Sequence, residues 1–410
     1  MPLAGKFSDK PRLIIILNRF VIGGPAVDTI PLAWHLKNDF EIVVLHGEKE
    51  KNEVEPRFLL QKYPGVELKE IKYLKRSSNP FFDIYAFFYI LIVLRQFNAD
   101  IVHTHGAKSG FAGRFAAWLL RVPVIIHTYH GHFFHSYFSK KTSAVVAFAE
   151  RLAGKITTTA IALSNSQKNE LVNEYNILPA SKIAVISLGF DFTKDRHTEE
   201  IRQDFRKKYN LQKEDIAIGI VGRIVNVKNH SFFLKIVHRI LGEYKTNPPA
   251  FFIIGDGDLR VQVENELHQK NISFSNNAIS THTRVVFTSW LTDVYKVMNG
   301  LDIVVLTSLN EGTPLSLIEA QFFKKPVVAT DAGGVKDSIE DGISGFLIKK
   351  DDIDAFCKKL FLLIDNKELR DTMGEAGSRF VSSAFSKQNE ITKIKELYYS
   401  LLEKKGYFFR

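Results

Sequence analysis

The chain reads as α/β, with two Rossmann-like doubly wound domains facing a central cleft. Three observations predict this. Short strand-like apolar runs alternate with helix-like ones, the pattern of βαβ units and a parallel sheet. The alternation restarts after residue 210, beyond a polar stretch without period. Glycine-containing turns follow the first strand-like run of each half, at Gly23-Gly24-Pro25 and at Gly222. Open α/β sheets bind ligands at the carboxyl ends of their strands, so two such domains set face to face create a cleft, with functional turns expected from both halves.

In the first half the strand-like runs are 13–17, 42–45, 101–104, 124–128 and 159–163, separated by helical stretches such as 26–37 and 109–121. In the second half they are 216–221, 251–254, 285–288, 301–307, 327–330 and 345–348. Between the halves, Phe192-Thr-Lys-Asp-Arg-His-Thr-Glu-Glu200 is polar and aperiodic. The expected organisation is therefore a first domain over 1–191, a linker over 192–212, a second domain over 213–386 and a final helical segment over 387–410.

A length of 410 residues leaves room for two or three domains, each burying its own core. Hydrophobic residues at 45% and charged residues at 24% are the proportions of a globular chain with ordinary solubility. Cys357 is the only cysteine, which rules out an intramolecular disulfide and suits a reducing compartment; its apolar helical surroundings predict a buried, inert thiol. The first ten residues lack the apolar core of a signal peptide, so the expected location is cytoplasmic. Lys and Arg outnumber Asp and Glu by 55 to 45, and the net +10 suits an anionic partner: a nucleotide, a nucleic acid or a membrane surface.

The most informative stretch is 308–320, Ser-Leu-Asn-Glu-Gly-Thr-Pro-Leu-Ser-Leu-Ile-Glu-Ala. It predicts a strand end, a loop and a helix start. Thr313 has the side chain of an N-cap and Pro314 fits the first helical position, which leaves the N–H groups of Leu315 and Ser316 at the positive end of a helix dipole, ready for an anion. Glu311 lies in the loop beside Gly312, and Glu319 lies inside the helix. A carboxylate beside an anion site needs hydroxyl donors, and sugars offer them. The stretch thus suits a ligand with a diphosphate in the middle, a sugar at Glu311 and a ribose at Glu319.

The Glu-x7-Glu spacing and the continuation Lys325-Pro-Val-Val-Ala-Thr-Asp-Ala-Gly-Gly334 resemble the retaining glycosyltransferases of family four, which have the GT-B fold. The resemblance runs in matching order through most of the chain. It implies an acceptor-side first domain, a nucleotide-sugar-binding second domain and a last segment, from about Lys387, that crosses back to brace the first. Arg223 and Lys228, in Gly222-Arg-Ile-Val-Asn-Val-Lys-Asn229, are chemically able to hold phosphate oxygens. The resemblance gives them the family role of neutralising the departing diphosphate. It also makes Gly23 and Gly24 a loop bordering that diphosphate, places the Gly255-Asp-Gly257 loop near the base, and makes His130 of Tyr129-His-Gly131 a contact to the donor sugar. Relatives often carry glycine where this chain has Ser289, before Trp290, which leaves the base as UDP first and GDP second.

Other readings compete with this one. Neither glycine loop supplies G-x-G-x-x-G, which disfavours an NAD enzyme. Six histidines, His103, His105, His127, His130, His132 and His135, fall within 33 residues, yet their spacing matches no common metal motif. Asp256–Asp258 and Asp352–Asp354 match Asp-x-Asp outside the context of metal-dependent transferases. No metal, no cofactor and no nucleic-acid partner are expected. The acceptor is read as a glycan or lipid-linked glycan. The apolar stretch 80–95 is a core helix or a lipid-contacting one, and with Lys69, Lys72, Lys75 and Arg76 and the aromatic-basic stretch 133–141 it gives an expectation of peripheral attachment to an anionic membrane. A GT-B epimerase or hydrolase, and a non-catalytic binding protein, are the alternatives. Intact Glu311, Glu319, Arg223 and Lys228 argue against the latter.

Overall fold

The computed structural model describes residues 10–21, 24–50, 53–75, 79–130, 140–191, 198–244, 246–289, 291 and 293–408. The chain divides into two compact units, one of Met1–Gly189 with Lys387–Arg410 and one of Phe190–Ser386.

The first unit holds a parallel sheet of β1 (Arg12–Leu17), β2 (Glu41–Gly47), β3 (Glu67–Ile71), β4 (Ile101–His105), β5 (Val124–Tyr129), β6 (Thr159–Ala162) and β7 (Ile183–Val185), in the order β3-β2-β1-β4-β5-β6-β7. The unbroken apolar run of β1 follows from cover on both faces. Leu13, Ile15 and Leu17 pack with Leu32 and Leu36 of the helix Gly24–Leu36 and with Ile391, Ile394 and Tyr398 of the helix Lys387–Glu403. Ile14 and Ile16 pack with Ala86, Ile90 and Leu94 of the helix Pro80–Phe97 and with Ala116 and Ala117 of the helix Ala107–Leu119.

The second unit repeats the plan with β8 (Ala217–Val221), β9 (Ala250–Ile254), β10 (Phe274–Ser275), β11 (Val285–Ser289), β12 (Ile303–Leu306), β13 (Val327–Thr330) and β14 (Gly345–Ile348), all parallel, ordered β10-β11-β9-β8-β12-β13-β14. Strand order reverses between β1 and β4 in one sheet and between β8 and β12 in the other. These are the positions where doubly wound sheets open a crevice at their carboxyl edge.

The predicted strands fall within two residues of these, and 327–330 and 345–348 coincide with β13 and β14. The strands not foreseen, β3, β7 and β10, all lie at sheet edges. In β3, Glu-Leu-Lys-Glu-Ile, only Ile71 is buried, so no apolar run marks it. The linker expected over 192–212 is a correction. Residues 192–197 lie outside the described residues, but Glu199–Lys208 is a helix capped by Thr198, whose side chain accepts from the Ile201 amide at 3.2 Å. Its Arg202 and Arg206 pair with Asp302 at 2.6 and 3.3 Å, and Phe205 enters the core against Phe252. A Cβ on Gly300 would lie 2.0 Å from the Phe205 ring, so that glycine is what admits the helix. Its charge concealed it in the sequence; partners from another strand end neutralise that charge.

Candidate active site

In the second unit the site is built at the switch point between β8 and β12. β8 runs into Gly222 at φ 147°, then Arg223, and Asn226–Lys228 form one 3-10 turn before Asn229, at φ 49°, leads into the helix His230–Glu243. The Gly255–Gly257 loop braces this turn from behind. A Cβ on Gly255 would lie 2.1 Å from the Gly222 carbonyl oxygen and one on Gly257 2.4 Å from that of Ile224, so both glycines are required by backbone packing. The Ile224 amide donates to the Asp256 carbonyl at 2.9 Å. The turn after β12 locks onto the first: the Leu309 amide donates to the Val227 carbonyl at 2.8 Å, and Thr307 Oγ1 donates to the carbonyls of Lys228 and Asn229 at 3.0 and 3.1 Å. The turn after β13 closes the set, with the Gly334 amide donating to the Glu311 carbonyl at 2.8 Å.

These turns bring Lys228 and Glu311, 83 residues apart, into an ion pair of 2.5 Å between Nζ and Oε1. Ser308 Oγ donates to the same carboxylate oxygen at 2.6 Å. Arg223 is exposed and makes no ion pair among the described residues. Glu319 is partly buried with no partner for its carboxylate among the described residues, and burial alone pushes it up to about 7. The cap expected at Thr313 is corrected by one residue. Pro314 is the cap residue, at φ −78° and ψ 86°, the helix is Leu315–Phe322, and no side chain caps it. Proline has no N–H to offer, and the Leu317 amide takes the Pro314 carbonyl at 3.0 Å. The amides of Leu315 and Ser316 still have no acceptor within the helix.

The corresponding position of the first unit is occupied differently. At the end of β4, His105 Nδ1 lies 2.6 Å from Nε2 of His130, which follows β5. His103 bridges Tyr398 and Thr128 at 2.6 and 2.7 Å, and burial depresses it to about 3. Burial also lowers His130, so its imidazole is neutral at pH 7; Asp28 opposes that shift and Lys387 adds to it. Beside it, Lys387 Nζ sits 2.8 Å from Asp28 and 2.6 Å from Glu390, all three side chains nearly inaccessible. Burial raises Glu390, with the Asp28 charge adding to it. Burial also pushes Asp28 upward, but Lys387 and the hydrogen bond from Glu390 outweigh it and hold that carboxyl low. Lys387 thus favours the ionised form of Asp28, while burial favours the neutral form of Glu390.

Comparison with known proteins agrees with this architecture. The model for Glycosyltransferase Family 4 matches residues 22–194 and that for Glycosyl transferases group 1 matches residues 201–380. The chain is 30% identical over 318 residues to the UDP-Gal:alpha-D-GlcNAc-diphosphoundecaprenol alpha-1,3-galactosyltransferase of Escherichia coli, covering 76% of this chain and 78% of that one. It is 26% identical to the capsular polysaccharide biosynthesis glycosyltransferase CapM of Staphylococcus aureus, over 82% and 86% of the two chains. The chain belongs to glycosyltransferase family four. Among solved structures, Anabaena Alr3699/HepE in complex with UDP superposes with a TM-score of 0.77 at 17% identity, over 95% of this chain and all of that one. A glycosyltransferase of Rickettsia africae gives the same score at 20% identity, over 97% and 100%. The fold they share is GT-B.

Within this glycosyltransferase, the structure brings Lys228, Glu311 and the turn of Arg223 together. Gly24 opens its helix, and a Cβ there would meet nothing within 4 Å among the described residues, so none of them explains that glycine by packing. Gly23, Arg76, Gly131, His132, His135, the stretch 133–139 and Trp290 lie outside the described residues. Ser289 stands at φ 54°, a backbone that suits glycine, and Arg260 donates to its hydroxyl at 2.5 Å. Three of the four Asp-x-Asp carboxylates have local duties: Asp352 caps a helix at the Ala355 amide, Asp354 pairs with Arg239, and Asp256 pairs with Arg260 at 2.9 Å. Among the described residues no three His, Cys, Asp or Glu are grouped to hold a metal. Cys357 is buried and its thiol pushed up to about 11. Sequence reasoning missed the Asp28–Lys387–Glu390 cluster. Asp28 lies 359 residues from Lys387, and no local pattern links it to the Lys387–Glu390 pair.

Proposed function

We propose that the protein transfers a sugar from a nucleoside diphosphate sugar, UDP in preference to GDP, to a glycan or lipid-linked acceptor with retention of configuration and without metal. Its place would be surface polysaccharide or glycolipid synthesis, in the cytoplasm or at the inner face of the membrane. The observation that carries the reading is the Lys228–Glu311 pair, with Arg223 in the turn of Lys228 and Glu319 in the helix after Glu311, both without ion-pair partners among the described residues. Cations and a carboxylate at one switch point suit a ligand that is anionic in its middle and rich in hydroxyls at its ends. UDP is favoured because the E. coli relative uses UDP-Gal and the Anabaena structure holds UDP.

In this mechanism the arriving diphosphate competes with Glu311 for Lys228. Glu311 turns to sugar hydroxyls, while Arg223, Lys228 and the amides of Leu315 and Ser316 stabilise the charge that grows on the leaving diphosphate. Gly23, Gly24, Gly312, Thr313 and Pro314 line the donor loops, and Glu319 takes the ribose. His130, neutral, serves as a hydrogen-bonding group for the donor sugar rather than as a cation. The acceptor hydroxyl attacks on the face from which the diphosphate departs.

Thermal shift over nucleoside diphosphates and their sugars tests the donor, since a ligand at a hundred times its dissociation constant adds about 2.7 kcal/mol. Stabilisation by UDP and not GDP is expected. Product anomeric configuration by NMR tests retention, and activity after exhaustive chelation tests metal independence; restoration only by Mg²⁺ or Mn²⁺ counts against it.

A further inference from the structure

The helices Pro80–Phe97, Ala107–Leu119 and Lys140–Ile156 lie side by side on one face of the first sheet. Each turns apolar side chains outward. In the first, the edge Ala86, Ile90 and Leu94 is buried in the core, whereas Phe81, Ile84, Tyr85, Phe88 and Ile92 are exposed, Phe81 by 84% and Phe88 by 57%. At about 100° per residue these five fall in one stripe opposite the buried edge. The second helix exposes Phe111, Trp118 and Leu119, and the third Phe148 and Leu152. A soluble chain rarely leaves such a set uncovered.

We propose that this three-helix face docks on an anionic phospholipid bilayer. Charge favours that occupant. The unit bearing the face carries 29 Lys and Arg against 18 Asp and Glu, while the other carries 26 against 27, so the whole positive excess lies in the unit that bears the apolar face. At its margin Lys72 is exposed and makes no ion pair among the described residues, whereas Lys69 and Lys75 pair with Glu67 and Glu48. The composition is that of an interfacial surface, Trp and Tyr among Phe and Ile. The helix Pro80–Phe97 is long and apolar enough to span a bilayer. Its buried edge is built into the sheet core, so the face lies on the lipid rather than crossing it. The attachment involves no residue of the donor site.

The test is co-sedimentation of the full chain with vesicles of phosphatidylcholine alone or with 30% phosphatidylglycerol, compared with the triple variant Tyr85→Ser, Phe88→Ser, Ile92→Ser. Binding to the anionic vesicles, at least ten-fold weaker in the triple variant and unchanged in Val261→Ser, Leu362→Ser, is expected. Trp118 fluorescence should shift to the blue on vesicle addition in the parent, and that change should vanish in Trp118→Phe. UDP stabilisation should be equal in parent and triple variant, which keeps this proposal separable from the donor reading. No binding to either vesicle, binding that the triple variant does not weaken, or a parent dimer that the triple variant dissociates would each overturn it, the last by assigning the face to a second copy.

Discussion

Both units wind a seven-stranded parallel sheet around a switch point, but they spend their polar and apolar residues in opposite ways. The first unit buries charges at its switch point, where Asp28, Lys387 and Glu390 satisfy one another, and puts aromatic side chains in water on its helices. The second keeps its large apolar residues inside, exposing only Val261, Leu309, Ile343 and Leu362 among those described, and leaves Arg223 after β8 and Glu319 in the helix after β12 without ion-pair partners among the described residues. A polar group already paired with protein serves structure; one left unpaired at a strand end awaits a ligand. The shared fold therefore does not by itself say where chemistry lies.

The largest test of this contrast is Lys387→Met. It strands Asp28 as an uncompensated buried charge, and urea denaturation should show a loss of about 3–5 kcal/mol. A loss below about 1 kcal/mol would mean that the cluster is not the closed structural unit described here. In the second unit the effect should move from stability to rate. Arg223→Ala and Lys228→Ala should each lower kcat by about 10²–10³-fold, as expected for groups facing charge that develops in the transition state. Arg223→Ala should leave the urea midpoint unchanged, because the side chain is exposed and unpaired. If both variants keep full kcat, the diphosphate role is lost.

Glu319 gives a pH-dependent test of intermediate size. Its folded-state value, about 7, lies above the usual 4.5, so the neutral form is favoured on folding. That contribution to stability is complete below pH 4.5 and is lost as pH rises through 7. Relative to the parent, ligand-free Glu319→Gln should therefore gain on the order of 2 kcal/mol between pH 4.5 and 8, measured by urea titration at each pH. Donor affinity of the parent should rise through the same window as the carboxylate forms to accept ribose hydroxyls, and that of Glu319→Gln should stay flat. The smallest effect belongs to the outward face: Phe88→Ser with Ile92→Ser should change stability by no more than about 0.5 kcal/mol, since neither side chain is part of the core. A loss of several kcal/mol would show that this face is core after all and erase the contrast between the units.

The sequence by itself determined the α/β class, the two doubly wound halves, most buried strands and the glycines of the turns at the switch point of the second unit. Each is written locally. A strand covered on both faces must be an apolar run, as Leu13–Leu17 and Ile303–Leu306 are, and a turn that approaches another backbone must carry glycine, as Gly222 and Gly255 do. Only the tertiary structure decided the rest. The edge strands β3, β7 and β10 lack the two-sided cover that would force such a run, and the helix Glu199–Lys208 hides its docking because Asp302, a strand end away, neutralises its arginines. The apolar stretch 80–97 was visible from composition, yet which of its sides is core and which is open depends on where the sheet lies beneath it. Lys387 meets Asp28, and Lys228 meets Glu311, because the chain winding sets distant strand ends and helix starts side by side. Pairings of that kind are long-range electrostatic facts and leave no periodic trace in the order of residues.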